Sequence, residues 1–139
     1  MSRCVFCRIA AGEESADLVF VDEVAAAFLD HSPLFPGHAL VVPIAHHETL
    51  GDLPGHLVEP YFARVQRLSV LMESALGAEG SFVASNQRVS QSVPHFHTHV
   101  VPRTKGDGLR GFFWPRTKYE SAGHAASVAA TLAEAWHAG

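Results

Sequence analysis

Long apolar runs are missing from this 139-residue chain. None approaches the roughly 18 residues a bilayer-crossing helix needs, so no membrane association is expected. The first residues, Met1 to Arg8, lack the apolar core of a secretory signal, which makes the cytoplasm the expected location. An excess of positive charge is also missing. Ten Lys and Arg against 14 Asp and Glu give a formal charge of −4. Nucleic acid is therefore not an expected partner, and any phosphate binding must be local. There is no GxxxxGK[ST] loop, no HExxH (His46-His47-Glu48 is not one) and no Gly-x-Ser-x-Gly elbow. Cysteine is scarce: only Cys4 and Cys7 occur. Their Cys-x-x-Cys spacing lacks the strand-to-helix context of a thioredoxin-like redox pair. Half of a zinc site and two incidental thiols both remain open, with ten histidines available as further ligands.

What is present is an ordinary globular composition, 47% hydrophobic and 17% charged, in a length that fits a single domain over 1–139. One stretch stands apart: Pro94-His95-Phe96-His97-Thr98-His99-Val100-Val101-Pro102. On a strand, alternate side chains share a face, so His95, His97 and His99 would line one side and Phe96, Thr98 and Val100 the other. One or two histidines would pass as polar residues on a solvent face. Three together point to what imidazole alone does: titrate near neutrality, ligate metals, and act as nucleophile, acid or base.

The rest of the chain supplies a scaffold. A helical turn from Ile9 ends near Gly12. Leu18–Asp22 and Val24–Asp30 read as two strands joined by a tight turn at Asp22-Glu23. After a Pro- and Gly-punctuated loop, His38–Pro43 reads as a buried third strand. Asp52 is a candidate N-cap for an amphipathic helix carrying Leu57, Tyr61, Val65, Leu68 and Met72, with Pro60 inside it and Gly77 as its stop. Ser81–Ser85 reads as a fourth strand, Asn86–Val93 as a polar loop and the histidine stretch as the fifth strand. Lys105–Gly108 is a turn. Ser121 is a candidate N-cap for a last helix to Trp136. Hairpin connections and grouped elements predict an α+β fold: a five-stranded antiparallel sheet with one long helix and a C-terminal helix.

A neutral imidazole can attack phosphorus without a metal, provided its other nitrogen has an acceptor that fixes the tautomer. Neighbouring imidazoles can then donate to the phosphoryl oxygens. His97, flanked on both sides, is the best placed. Ser90-Gln91-Ser92 just upstream offers neutral hydrogen-bond donors.

His95-Phe96-His97-Thr98-His99-Val100-Val101 resembles the signature of the histidine triad superfamily, three histidines alternating with apolar residues. The likeness extends to Cys4-Val5-Phe6-Cys7, Ala27-Phe28-Leu29-Asp30, Pro36-Gly37-His38, Val41–His46 and Gln91–Pro94, in order. Cys4–Cys7 is similar to the start of bacterial and Hint-like members. The resemblance implies a nucleotide hydrolase or transferase acting at the α-phosphate of purine nucleotide conjugates through a nucleotidyl-histidine. The alternatives it leaves are a dinucleoside polyphosphate hydrolase and a nucleotide-binding regulator with vestigial catalysis. It implies His97 as nucleophile, with His99, His38 and Ser92 beside it. It places Asp30 near the ribose, His31 to Phe35 beside the base, and Asn86, Gln91 and His99 in substrate contact. It further implies a structural zinc on Cys4, Cys7, His46 and His95, and a homodimer. Trp114 and Arg116 could reach a leaving group, and Phe112 and Phe113 read as core or dimer contacts.

Overall fold

The computed structural model describes residues 4–109 and 116–139. Phe112, Phe113 and Trp114 lie outside the described residues. The chain divides between Asp107 and Gly108 into two compact units. In the first, helix α1 (Val5–Ala10) precedes strands β1 (Leu18–Val21), β2 (Ala25–Leu29) and β3 (Ala39–Pro43). A short 3-10 turn (Leu50–Asp52), helix α2 (Gly55–Ser74) and strands β4 (Gly80–Ala84) and β5 (Thr98–Arg103) follow. The second unit contains helix α3 (Ala122–Ala138), capped by the Ser121 hydroxyl accepting from the His124 amide at 3.0 Å. The five strands form one antiparallel sheet in the order β1-β2-β3-β5-β4, the α+β architecture expected.

Alternation divides the sheet residues between two cores. Ala25, Ala27, Ala39, Val41 and Val100 pack with Tyr61, Val65, Leu68 and Met72 of α2. Ala26, Phe28, Leu40 and Val42 pack with Phe6 and Ile9 of α1. The small alanines of β2 let both helices approach the sheet. The β1–β2 turn is fixed by Asp22, whose Oδ1 accepts the amides of Val24 at 2.9 Å and Ala25 at 3.0 Å.

Beyond shifts of a residue or two at other element ends, three differences from expectation have a physical cause. Helix α1 starts earlier, at Val5, because Val5, Phe6 and Ile9 already share one apolar face. Asp52 does not cap α2. Its carboxylate accepts the Thr49 amide and hydroxyl, closing a capping box on the 3-10 turn, and Pro54 stands at the α2 N-cap. The third concerns the histidine stretch. Strand β5 begins only at Thr98, so His99 is the one triad histidine within it. Extending the register of Val41 with Thr98 would set Pro43 opposite Phe96, and proline has no amide proton for a ladder. The Phe96 amide donates to the His47 carbonyl instead, at 2.6 Å.

Thr98, the polar residue on the apolar side of the triad, is explained by Tyr61. Both are buried, and the Tyr61 hydroxyl lies 2.7 Å from Thr98 Oγ1 and donates to the Val41 carbonyl at 2.8 Å. Burial pushes the Tyr61 phenol well above its ordinary range, so it remains a donor at all working pH. Replacing Tyr61 with Phe strands a buried hydroxyl and a carbonyl. Urea unfolding should show a loss of about 1–3 kcal/mol with an unchanged m-value.

A histidine-lined cavity beside a Cys2His2 cluster

The chain's turn away from β3 at Phe96 sends the triad imidazoles to different places. The His95 ring is fully buried, and its Nε2 lies 2.9 Å from the Pro43 carbonyl. A carbonyl only accepts, so Nε2 carries the proton and Nδ1 keeps its lone pair. That Nδ1 lies 3.4 Å from Cys4 Sγ, 3.4 Å from Cys7 Sγ and 3.2 Å from His46 Nδ1. Cys7 Sγ is also 3.4 Å from His46 Nδ1. One lone pair cannot satisfy three such neighbours by hydrogen bonds. A tetrahedral ion can: bonds of about 2.3 Å to sulfur and about 2.0 Å to nitrogen separate the ligand atoms by about 3.5 Å for S–N and about 3.3 Å for N–N. The donor set, its spacing and the outer hydrogen bond to Pro43 therefore fit a closed metal site. All four ligand atoms lie within 4.8 Å of one another.

His97 obeys the same logic with the nitrogens exchanged. Its Nδ1 lies 2.8 Å from the His95 carbonyl, so Nδ1 carries a proton and, in the neutral ring, Nε2 is the nitrogen with the lone pair. The ring is almost fully buried, yet it lines a cavity of about 520 Å³ with His99, Asp30, Ser92, Phe6 and Leu40 among others. Its own carbonyl accepts the Ser85 hydroxyl at 2.6 Å, and Gln87 Nε2 donates to that hydroxyl at 2.8 Å.

His38 and His99 form a relay behind the cavity. The Leu34 amide donates to His38 Nδ1 at 3.0 Å, so the His38 proton is on Nε2 and goes to His99 Nδ1 at 2.9 Å. His99 then presents Nε2–H as a donor. Asp30 Oδ2 lies 3.6 Å from His38 Nε2, and Asp30 Oδ1 accepts the Ser32 amide at 2.9 Å. Asp30, His38 and His99 are close enough to suggest a second metal site. The chemistry disagrees, because His38 Nε2 carries a proton and offers no lone pair.

The expected substrate contacts do not all meet. Ser92, Asp30, His97, His99 and His31 line the cavity. Gln91 does not: its amide donates to the Glu48 carbonyl at 2.6 Å and its Oε1 accepts the Arg88 amide at 2.9 Å. Asn86 also lies outside the lining and donates to the Ser90 carbonyl at 3.2 Å. Both brace the loop that carries Ser92. Arg116 is exposed in the second unit. Missed from the sequence were Val5, Phe6 and Ile9 as cavity wall and Ser85 as a clamp on His97. The apolar spacing of the α1 residues was the available signal. Ser85 had none.

A single-sheet α+β scaffold that delivers tautomer-fixed imidazoles to a small-molecule cavity defines the class of this protein. The sequence matches the HIT domain over residues 11–106, and the chain belongs to that family, the histidine triad proteins. An uncharacterized HIT-like protein of Methanocaldococcus jannaschii is 39% identical over 107 residues, 76% of this chain and 82% of its own length. An adenylylsulfatase of Arabidopsis thaliana is 32% identical over 76% of this chain and 55% of that protein. An asymmetrical bis(5'-nucleosyl)-tetraphosphatase of Schizosaccharomyces pombe is 33% identical over 61% of this chain and 48% of that protein. The crystal structure of a HIT family member from Bacillus subtilis superposes with a TM-score of 0.85, at 28% identity, over 96% of both chains. A zinc-bound histidine triad protein of Mycobacterium smegmatis gives a TM-score of 0.73 at 35% identity, over 96% of this chain and 97% of that one.

Burial holds His99 down to about 4, helped by His97 and His38 and opposed by Asp30. Burial also lowers His38, again against Asp30. Both are neutral at pH 7. An unfolded histidine titrates near 6.5, so between about 6.5 and 4 the unfolded chain binds more protons. The stability contributed by His99 is complete above about 6.5 and is lost as pH falls towards 4, and His38 acts in the same sense. The urea midpoint should drop across that interval, and drop less steeply in His99→Gln.

Proposed function

We propose that this protein hydrolyses purine nucleotide conjugates at the α-phosphate, as a nucleoside phosphoramidase. The observation that carries the reading is the 2.8 Å bond from His97 Nδ1 to the His95 carbonyl, which makes Nε2 the lone-pair nitrogen of the neutral form of a cavity-lining ring. In the first step Nε2 attacks phosphorus. The new N–P bond forms as the bond to the leaving group breaks, and the leaving group takes a proton from the Ser92 hydroxyl or His99 Nε2–H. Water then attacks phosphorus, breaks the N–P bond and releases the nucleoside monophosphate, returning the proton to the relay. Asp30, on the cavity wall, suits the ribose hydroxyls. Activities acting on nucleotides in the Arabidopsis and Schizosaccharomyces relatives support the substrate class.

Asp17 and Asp30 line the same cavity. They disfavour a leaving group carrying several negative charges, which supports a phosphoramidate over a dinucleoside polyphosphate. The tetraphosphatase relative supports the polyphosphate reading as the second choice. Adenosine phosphoramidate should turn over faster than diadenosine tetraphosphate, and inertness of both would sink the hydrolase assignment. His97→Ala should lower turnover on the order of a thousandfold or more. Mass spectrometry of acid-quenched wild type should find a nucleotidyl adduct on His97, whereas unaltered turnover in the variant would leave a binding regulator as the better reading.

The same proposal places a structural zinc on Cys4, Cys7, His46 and His95, supported by their spacing and by the zinc-bound Mycobacterium protein. The ion would tie the N-terminus to the triad and needs no part in the chemistry. Metal-replete wild type should contain one zinc per chain and Cys4→Ser much less, by elemental analysis. A cytoplasmic location suits reduced thiolate ligands. A homodimer suits the edge strand β4, where Val83 is 44% exposed.

A further inference from the structure

Helix α1 carries Cys7, with Cys4 at its N-cap, and its Val5, Phe6 and Ile9 line the cavity. Phe6 sits in the Cys4–Cys7 interval and is only 6% exposed. Its ring centroid is 5.1 Å from that of His97 at an interplanar angle of 82°, and 5.9 Å from that of His95 at 75°. Phe28 closes the far side at 5.3 Å. Phe6, with Val5 and Ile9, also lines the cavity. A second path runs through the backbone, because the residue whose ring faces the cysteines supplies the carbonyl that holds the His97 proton.

We propose that Phe6 is a positioning residue that couples the Cys4/Cys7/His46/His95 centre to His97, so that zinc and nucleotide bind with positive linkage. The proposal rests on the nucleotide reading above. With the cluster closed, α1 is held at both cysteines, Phe6 is pressed against the His97 ring, and the apolar wall of the cavity is complete. With the cluster open, two thiols and two imidazoles lie close together without an ion to fix their positions. Helix α1 has only six residues, too few to be stable without tertiary anchoring. Its displacement removes the ring beside the nucleophile and one wall of the site together. Linkage is reciprocal, so whatever nucleotide affinity gains from zinc, zinc affinity gains from nucleotide.

The test is a pair of titrations on the full chain with zinc and AMP as probes. AMP binding by calorimetry should be about tenfold weaker after chelation than in zinc-loaded protein. Zinc affinity, read by equilibrium competition with a colorimetric chelator, should rise with saturating AMP by the same factor. Phe6→Leu keeps apolar volume but loses the ring. It should retain zinc, show less than about half of the logarithmic linkage, and lower kcat more than it raises KM. Phe6→Tyr should restore much of both. The ¹⁵N signals of His97 should show the Nδ1–H form in zinc-loaded wild type and tautomer exchange in Phe6→Leu. Equal AMP affinity with and without zinc in wild type would overturn the linkage while leaving the hydrolase reading intact. Absence of AMP binding to either form would overturn both.

Discussion

The hydrogen bond from His97 Nδ1 to the carbonyl of His95 is the constraint on which the site depends. An imidazole is a useful nucleophile only when neutral and only through the nitrogen that lacks the proton. A carboxylate partner would fix the same tautomer but would also favour the imidazolium. A carbonyl fixes the tautomer without that charge, and burial discourages protonation of the neighbouring rings. The bond works because His95 is itself immobile, its ring held by the Pro43 carbonyl on one side and facing the cysteines on the other. The Ser85 hydroxyl then holds the His97 carbonyl from a different strand end. His97 is fixed at its ring and at its backbone by groups from separate parts of the chain.

The sheet's end is what separates the metal-like cluster from the cavity. Were β5 extended back to His95, alternation would put all three imidazoles on one face with even spacing, and one face would have to serve two purposes. Pro43 prevents this by ending the donor pattern of β3. Its carbonyl is left for a side chain, and the chain turns so that His95 and His97 present opposite nitrogens to different neighbours. His99, the one member inside the ladder, faces the same side as Leu40, its register partner. It thereby reaches His38, which stands just before β3.

Much of this was legible in the sequence, and the reasons are specific. The antiparallel sheet follows from short hairpins and apolar alternation, both local signals, whereas the β3–β5 pairing that sets the strand order joins distant residues such as Val41 and Thr98. The gathering of Cys4, Cys7, His46 and His95 came through family likeness and not through spacing, since the ligands are separated by up to 91 residues in sequence. The hydrogen-bond partners of Gln91 and Asn86 were not legible. An amide in a polar loop reads equally well as a substrate donor or as a brace, and only coordinates show these two bonded to Glu48 and Ser90. Asp52 failed as a helix cap because Thr49 lies three residues upstream with the same appetite for backbone amides, and the nearer turn took the carboxylate. The short β5 was hidden because residue alternation reports facing, not pairing. A proline on the neighbouring strand, more than 50 residues away in sequence, decided where pairing stopped.

The relay of His38 and His99 bears on which charge the site is built to meet. The Leu34 amide fixes the tautomer of His38 and, through it, that of His99, and burial lowers both rings so that they act as dipoles, not cations, at pH 7. A nucleotide α-phosphate carries little more than one negative charge when esterified, and in a loose transition state that charge spreads over its oxygens. Neutral donors aimed at those oxygens stabilise the spread charge without binding the ground-state anion too tightly. Fixed cations would also hold the product monophosphate, whose charge is higher, and slow its release. Asp30 beside His38 and Asp17 on the wall push in the same direction. On the proposed reading, the cavity would select through donor placement and apolar shape, and its electrostatics would favour turnover over retention.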